Sequence, residues 1–322
     1  MTMTPEEVRT RILQLLSDGS FHSGETLAQH FSLSRTAIAN HIQSLTELGL
    51  DIYSVKGKGY ALANPITLLE HSEIMAHANA TEDDLSLMVL PIIDSTNTYL
   101  KQNIDNVPHG QVVIAEAQTA GRGRRGKQWV SPFGASLYLS MCWHFQGGYQ
   151  QIGGLSLFVG VCVIRALQKL NVDGLSIKWP NDIYRNGVKL GGVLVEVEGQ
   201  IGTQVSCIIG IGINVNLPDV EAQIDQPFTD LSDFEINRNQ LCATIIDTLY
   251  DSLPDFEAFG LSKLINQWNE LDVFYQKPVM ISSHGKTQKG INLGIDASGA
   301  LQLATEEGVL SIHGGEVSLR AQ

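Results

Sequence analysis

The chain has 322 residues, of which 43% are apolar and 17% charged, so it carries ample material for a core and reads as globular rather than disordered. At roughly 100–200 residues per domain, two or three domains are expected. With 21 Lys and Arg against 34 Asp and Glu the formal charge is −13, which excludes a surface built throughout to coat nucleic acid, so any DNA contact must be local.

Residues 1–63 read as a unit of their own. Thr4-Pro5-Glu6-Glu7 supplies a cap, a proline at the first helical position and a Glu three residues after the cap, and Val8, Ile12, Leu15 and Leu16 follow at helical spacing. Asp18-Gly19 stops that helix. Ser23 caps a second helix with Leu27, Ala28 and Phe31, and Ser34 a third with Ile38, Ile42, Leu45 and Leu48. The pair joined at Phe31-Ser32-Leu33-Ser34 is a helix-turn-helix. Beyond Gly49, the pattern Ile52, Val55, Gly57-Lys58-Gly59, Tyr60, Leu62 predicts strand, glycine turn and strand, the wing of a winged helix.

Asn64-Pro65 ends this unit, and residues 64–80 form a linker with a helix predicted from Ile66 to about Ala80. A mixed region follows over 81–272. Strands are expected at Leu87–Ile92, Gln111–Ala117, Ser136–Trp143, Ser176–Trp179, Gly192–Val197 and Val205–Ile211, and helices at Thr96–Ile104, Gly153–Leu170 and Asn237–Phe259, giving an α/β or α+β domain. Gly153–Leu170 is the longest apolar run, but it contains Gly160 and Arg165 and falls short of the ~20 residues of a membrane span, so it reads as a buried helix. The start MTMTPEEVRTR lacks the apolar segment of a signal peptide, so a cytoplasmic protein without a membrane partner is expected. Over 273–322, the runs Val279–Ile281, Ile291–Ile295, Leu301–Leu303, Val309–Ile312 and Val317–Leu319, separated by His-Gly, Ser-Gly, Glu-Gly and Gly-Gly turns, describe a small β-barrel. Cys142, Cys162, Cys207 and Cys242 stand far apart with no CxxC pair, which predicts buried thiols and no metal site.

Charge is unevenly placed. Residues 1–63 carry five basic and six acidic side chains, and four of the remaining basic residues, Arg122, Arg124, Arg125 and Lys127, fall within one short loop. The loop Gly121-Arg-Gly-Arg-Arg-Gly126-Lys127 formally satisfies GxGxxG and nearly satisfies the P-loop pattern. Both patterns require a helix to follow, and here the chain continues as Gln128-Trp129-Val130-Ser131-Pro132, which is extended. What survives is glycines that admit a ligand close to the backbone and arginines with forked donors for phosphate or carboxylate; a solvated basic turn is the plainer reading. Lys178-Trp179-Pro180-Asn181-Asp182 follows a predicted strand and Lys189-Leu190-Gly191-Gly192 comes one short turn later, placing two lysines and an Asp around a rigid corner. Gly210-Ile-Gly212-Ile-Asn214 ends another strand with close-approach glycines and an amide.

Taken in order, the winged helix, Asp94-Ser95-Thr96-Asn97, the Gln118 to Gly126 loop with Trp129 and Ser131-Pro132, KWPND at 178–182, Lys189, Gly210 to Asn214 and Gly314 to Leu319 resemble the bifunctional bacterial biotin-protein ligases that also repress the biotin operon (BirA-type). The resemblance covers essentially the whole chain. It implies an α+β fold of winged helix, central class II synthetase-like mixed sheet and C-terminal SH3-like β-barrel. It also implies a two-step reaction: biotin and ATP, delivered with Mg2+, give biotinyl-5′-AMP, and a lysine of the biotin carboxyl carrier protein then takes the biotin.

By the same resemblance, Ser95, Thr96, Asn97, Gln118, Arg122, Gly123, Arg124 and Lys189 line the biotin site, and Gly121, Arg125, Asp182 and Gly192 join them as substrate- or cofactor-binding residues. Trp129, Gly210, Gly212 and Asn214 belong near the adenylate. Lys178, Arg124 and Lys189 are the catalytic candidates, Lys178 for the reacting α-phosphate and Arg124 for holding the anhydride. Ser34, Arg35, Thr36, Ala39, Asn40 and His41, with Lys56 and Lys58 of the wing, are the DNA-binding candidates. A homodimer loaded with the adenylate as corepressor is expected on operator DNA. Two other readings use the same residues: a transcription factor that senses a small molecule without chemistry, and a ligase that attaches lipoate.

Overall fold

The computed structural model describes residues 3–63, 65–81, 84–199, 204–218, 220, 223–283, 286–314 and 317–321; Asn64, the His284-Gly285 turn and Gly315-Glu316 lie outside them. The first five elements are α1 (Pro5–Leu16), α2 (Gly24–Phe31), α3 (Arg35–Glu47), β1 (Ile52–Val55) and β2 (Gly59–Leu62). Thr4 and Glu7 cap α1 reciprocally, with the Glu7 carboxylate accepting from Thr4 N at 2.7 Å, and Ser23 and Ser34 cap α2 and α3. The β1–β2 hairpin pairs Val55 with Gly59. Gly59 has φ +112°, and a Cβ there would lie 2.0 Å from the His22 carbonyl oxygen, so the wing can dock on the loop before α2 only through glycine. The unit's core, including Ile12, Leu16, Leu27, Ile38 and Leu45, also takes in Ala117 and Phe133 from the next region.

The linker departs from expectation. Only α4 (His71–His77) is helical, and residues 65–70 form no helix or strand. Their backbone groups are claimed from outside: Glu116 accepts from Leu69 N, Arg238 donates to Thr67 O, and Asn239 donates to Leu68 O and accepts from Glu70 N. A helix would need those groups for itself.

The central region is a seven-stranded sheet of β3 (Leu87–Ile93), β4 (Val112–Gln118), β5 (Ser136–Phe145), β6 (Leu175–Lys178), β7 (Asp182–Arg185), β8 (Val188–Glu198) and β9 (Val205–Asn214), in the order β3-β4-β5-β9-β8-β7-β6. Only β3 and β4 run parallel, so the sheet is mixed and the fold α+β. The apolar run predicted as a buried helix is α6 (Leu155–Lys169), which packs with α7 (Arg238–Phe259) over one face of the sheet. The helix α5 (Thr96–Gln102) covers the other face through Leu100 on Val113, Cys142 and Ile208.

Strand β8 begins at Val188, four residues before the predicted start, because Lys189 pairs with Tyr184 across the Asn186-Gly187 turn. A short helix not anticipated, α8 (Ile265–Leu271), buries Trp268. Five antiparallel strands, β10 (Pro278–Ser283), β11 (Lys286–Ile295), β12 (Leu301–Thr305), β13 (Gly308–Ile312) and β14 (Val317–Ala321), form the small C-terminal β domain in the order β13-β12-β11-β10-β14. A register shift between Asn292 and Ile295 bends β11. Polar contacts tie this domain to the central region: Trp179 Nε1 donates to Gly299 O at 3.1 Å, Asn292 Nδ2 to Asp272 at 2.6 Å, and Ile295 N to Asn269 Oδ1 at 3.1 Å.

Candidate ligand-binding and catalytic site

A cavity of about 310 Å3 opens above β5, β8 and β9. Its walls are the start of α5, the loop 122–130, the KWPND strand end and residues 223–228, and Leu319 reaches it from the C-terminal domain. Every residue predicted from sequence for ligand binding or catalysis except Gly121 lines it, and the DNA-binding candidates lie elsewhere. Gly121 lies behind the loop: a Cβ there would meet Trp129 O at 2.5 Å and Ser131 Oγ at 2.6 Å. It is a packing glycine.

The inner end is neutral and polar. Ser95 is the N-cap of α5, and with it Thr96 and Asn97 are buried polar residues. Thr96 N and Oγ1 donate to Gln118 Oε1 at 3.0 and 3.2 Å, and Gln118 Nε2 donates to Ser131 Oγ at 3.1 Å. Ser140 Oγ lies 2.7 Å from Thr96 Oγ1 and 2.6 Å from Asn97 Oδ1. Gly210 exists for this cluster, since a Cβ would stand 2.3 Å from Asn97 Oδ1.

The arginine loop is a small hairpin. Arg122 bridges Gln128, Gly123 N donates to Lys127 O at 2.7 Å, and Arg125 adopts φ 60°. An extended segment and then β5 follow, so the phosphate-binding strand-to-helix motifs are absent from this loop, as its sequence predicts. Its cations point to separate partners: Arg122 to Glu196, Arg124 to Asn181 at 3.0 Å, and Lys127 to Asp225 at 3.3 Å. Burial disfavours the charge on Arg124, an effect that an anion entering the cavity reverses.

Lys178, Lys189 and Arg124 face this single cavity. Lys178 Nζ lies 3.2 Å from the Tyr184 hydroxyl and over the rings of Tyr184 and Phe274. Lys189 Nζ pairs with Asp182 at 2.8 Å and stands over the Trp129 ring. The Trp129 indole is seated against Gly212, where a Cβ would come within 2.7 Å of it. Its buried Nε1 has no acceptor among the described residues.

Sequence reading missed Ser140, Tyr184, Glu196 and the 223–228 segment. Glu196 was accessible in principle, since it follows Gly192 at even spacing on one strand. The four cysteines are buried, and burial pushes the Cys142 and Cys207 thiols up to about 12, so none is primed as a nucleophile or ligand. Among the described residues, no group of three or more His, Cys, Asp or Glu could hold a metal ion, and no helix is long and apolar enough to cross a membrane.

On the winged helix, Ser34, Arg35, Thr36 and Asn40 are exposed along α3, as are Lys56 and Lys58 at the wing tip. Ala39 and His41 are half-buried, and burial together with the nearby Arg9 charge lowers the His41 pKa.

A winged helix joined to a ligand-binding mixed sheet and a small β domain defines a two-function protein class: a DNA-binding module fused to an acyl-ligase module. Residues 8–61 match the HTH domain family, 89–214 the Biotin/lipoate A/B protein ligase family and 277–320 the Biotin protein ligase C terminal domain. The bifunctional ligase/repressor BirA of Escherichia coli is 42% identical over 322 residues, 99% of each chain, and that of Bacillus spizizenii is 30% identical, covering 97% of this chain and 98% of its own. The biotin protein ligase of Aquifex aeolicus, solved in complex with biotin and ATP, is 29% identical with a TM-score of 0.65, over 74% of this chain and 99% of that one. The chain belongs to the bifunctional biotin-protein ligase/repressor family.

Proposed function

We propose that the cavity makes biotinyl-5′-AMP from biotin and MgATP and delivers the biotin to a lysine of the biotin carboxyl carrier protein. The observation that carries this reading is the convergence of Lys178, Lys189 and Arg124 on one cavity whose inner end is neutral and polar. The corresponding division of the chain is winged helix 1–63, linker 64–80, ligase 81–272 and β domain 273–322.

In the first step a carboxylate oxygen of biotin attacks the α-phosphorus, and the bond from phosphorus to the bridging oxygen of the β-phosphate breaks, releasing pyrophosphate. Two anions must meet, so fixed cations at the point of charge build-up dominate the barrier. Lys178 serves the reacting phosphate. Lys189, aimed by Asp182, and Arg124 serve the carboxylate and the anhydride. Ser95, Thr96, Asn97 and Gln118 supply donors and acceptors for the ureido ring. Arg122, Gly123 and Arg125 close over it. Trp129, with Gly192, Gly210, Gly212 and Asn214, frames the adenylate. In the second step the carrier lysine, as free amine, attacks the acyl carbon; the C–O bond to AMP breaks and the amine proton is lost.

Mass spectrometry of a carrier domain incubated with the protein, ATP and biotin tests this. One biotinyl group gained with biotin, and none with lipoate, is the expected result. A lipoyl adduct alone identifies the lipoate ligase reading, and no adduct with no pyrophosphate identifies a pure sensor.

The repressor half follows from the same site. Ser34, Arg35, Thr36, Ala39, Asn40 and His41 meet the operator, with Lys56 and Lys58 on its backbone. Since residues 1–63 carry five basic against six acidic side chains, one copy has little electrostatic hold on DNA. A homodimer formed when biotinyl-5′-AMP is retained, acting in the cytoplasm, supplies two copies at once.

A further inference from the structure

The arginine loop and the cavity floor share one carboxylate. Glu196 stands on β8 on the same face as Gly192 and Leu194, both of which line the cavity. Arg122 takes it as a fork, donating to Oε1 at 3.0 Å and to Oε2 at 2.6 Å. Asn97 Nδ2 donates to the same Oε2 at 2.9 Å. The neighbouring pair repeats the arrangement, with Lys101 Nζ 2.5 Å from Glu198. The four-residue step from Asn97 to Lys101 on α5, ~6.0 Å of rise, thereby meets two residues of β8, ~6.6 Å apart, so helix and strand are held in register.

From Asn97 the polar contacts continue through Ser140, Thr96, Gln118 and Ser131, and the Ser131 hydroxyl donates to Trp129 O at 2.9 Å. A single chain of hydrogen bonds thus passes beneath the cavity from Arg122 to Trp129, the two ends of the loop. The carboxylate of Glu196 is the one charged acceptor on that path, and it is four-fifths buried, with 19% of the side chain exposed.

We propose that Glu196 is a positioning residue for this ligase: it clamps Arg122, and with it the arginine loop, to the floor at Asn97, so that a ligand seated on that floor is kept under a closed loop. The proposal rests on reading the cavity as the biotinyl-5′-AMP site. Lys178 and Lys189 are held on β6 and β8 by contacts that do not involve Glu196, so the clamp governs retention of the adenylate more than the bond-forming step.

The test uses the full chain, loaded with radiolabelled biotin and MgATP in the presence of pyrophosphatase, freed of excess by gel filtration and chased with unlabelled biotin. Glu196→Gln keeps an acceptor for Asn97 and removes the charge. A partly exposed charge-assisted fork sets the size of the effect: release of the adenylate becomes about tenfold faster, while first-turnover pyrophosphate release slows by no more than about threefold. Arg122→Ala, which also loses this side chain's place in the cavity wall, gives at least the same increase, and the double variant no more than Arg122→Ala alone, because Glu196 acts through Arg122. Lys101→Ala breaks only the neighbouring pair and retains the adenylate as the parent does. Unchanged release in Glu196→Gln and Arg122→Ala, or effects that multiply in the double variant, overturns the clamp. A parent protein that forms no adenylate overturns the functional reading instead.

Discussion

Arg238 and Glu116 form an ion pair that water scarcely reaches, their side chains being 4% and 5% exposed. The same two groups hold the linker: Arg238 donates to Thr67 O at 2.8 Å and Ser136 O at 3.1 Å, and Glu116 accepts from Leu69 N. Losing one partner strands a buried charge, so Arg238→Ala lowers stability by about 3–5 kcal/mol in urea unfolding. Replacing both residues by apolar ones of similar volume costs less than that. A loss under about 1 kcal/mol for Arg238→Ala contradicts the burial argument.

A change at Lys178 is expected to separate chemistry from binding. Its ammonium is held between the Tyr184 hydroxyl and two aromatic rings at the cavity wall, away from the polar floor of Ser95, Thr96 and Gln118. Lys178→Ala is expected to slow biotin-dependent pyrophosphate release by about 10²–10³-fold, the scale of losing one preorganised stabiliser of developing charge. Biotin affinity by calorimetry changes little. Parent-like pyrophosphate release in this variant removes Lys178 from the catalytic set.

Gly212 sets the position of Trp129. An added methyl group would stand 2.7 Å from the indole Cε2, so Gly212→Ala forces the ring off its seat. The expected outcome is an ATP KM raised about tenfold or more, on the scale of 1.4 kcal/mol, with a shifted tryptophan emission. Biotin affinity is kept, because the floor is not touched. An unaltered KM shows that the indole does not frame the nucleotide.

What the sequence made legible was local. The serine caps, the Thr4–Glu7 box, the glycine wing and the apolar α6 depend on neighbours within a few residues, and the cavity's cations sit in short, compositionally unusual loops. The irregular run 65–70 was illegible because its hydrogen-bond partners, Glu116, Arg238 and Asn239, come from about 50 and 170 positions away. Glu196 was passed over for a related reason: its meaning lies in Arg122, 74 residues earlier, and a Glu on a strand carries no motif. Leu319 enters the cavity only because the β domain docks beside Trp179.

Operator binding should behave as an electrostatic contact made twice. Arg35, Lys56 and Lys58 are exposed on one small unit with little net charge, so affinity falls as salt rises, with a log–log slope set by the phosphates contacted. Arg35→Ala reduces that slope by about 1 if Arg35 meets a phosphate. Preloading with biotinyl-5′-AMP tightens binding and drives dimerisation, measured together by sedimentation and fluorescence anisotropy. Binding indifferent to the adenylate breaks the proposed link between the two halves.

Asp272 makes the junction between the sheet and the β domain sensitive to pH. It is buried, 7% exposed, and accepts from Phe274 N at 3.0 Å and Asn292 Nδ2 at 2.6 Å. Burial outweighs those bonds and pushes its carboxyl from 3.8 up to about 6. Between about pH 4 and pH 6 the unfolded chain has therefore lost this proton while the folded chain keeps it. The folded state binds more protons there, so this contribution to stability is full below that window and declines as pH rises through it, by about 3 kcal/mol in all. Asp272→Asn cannot ionise. In urea unfolding, the stability of the parent relative to Asp272→Asn should drop by about 2 kcal/mol between pH 4.5 and pH 7. A difference that stays level, or grows in the parent's favour, means that Asp272 is already ionised in the folded protein at the lower pH.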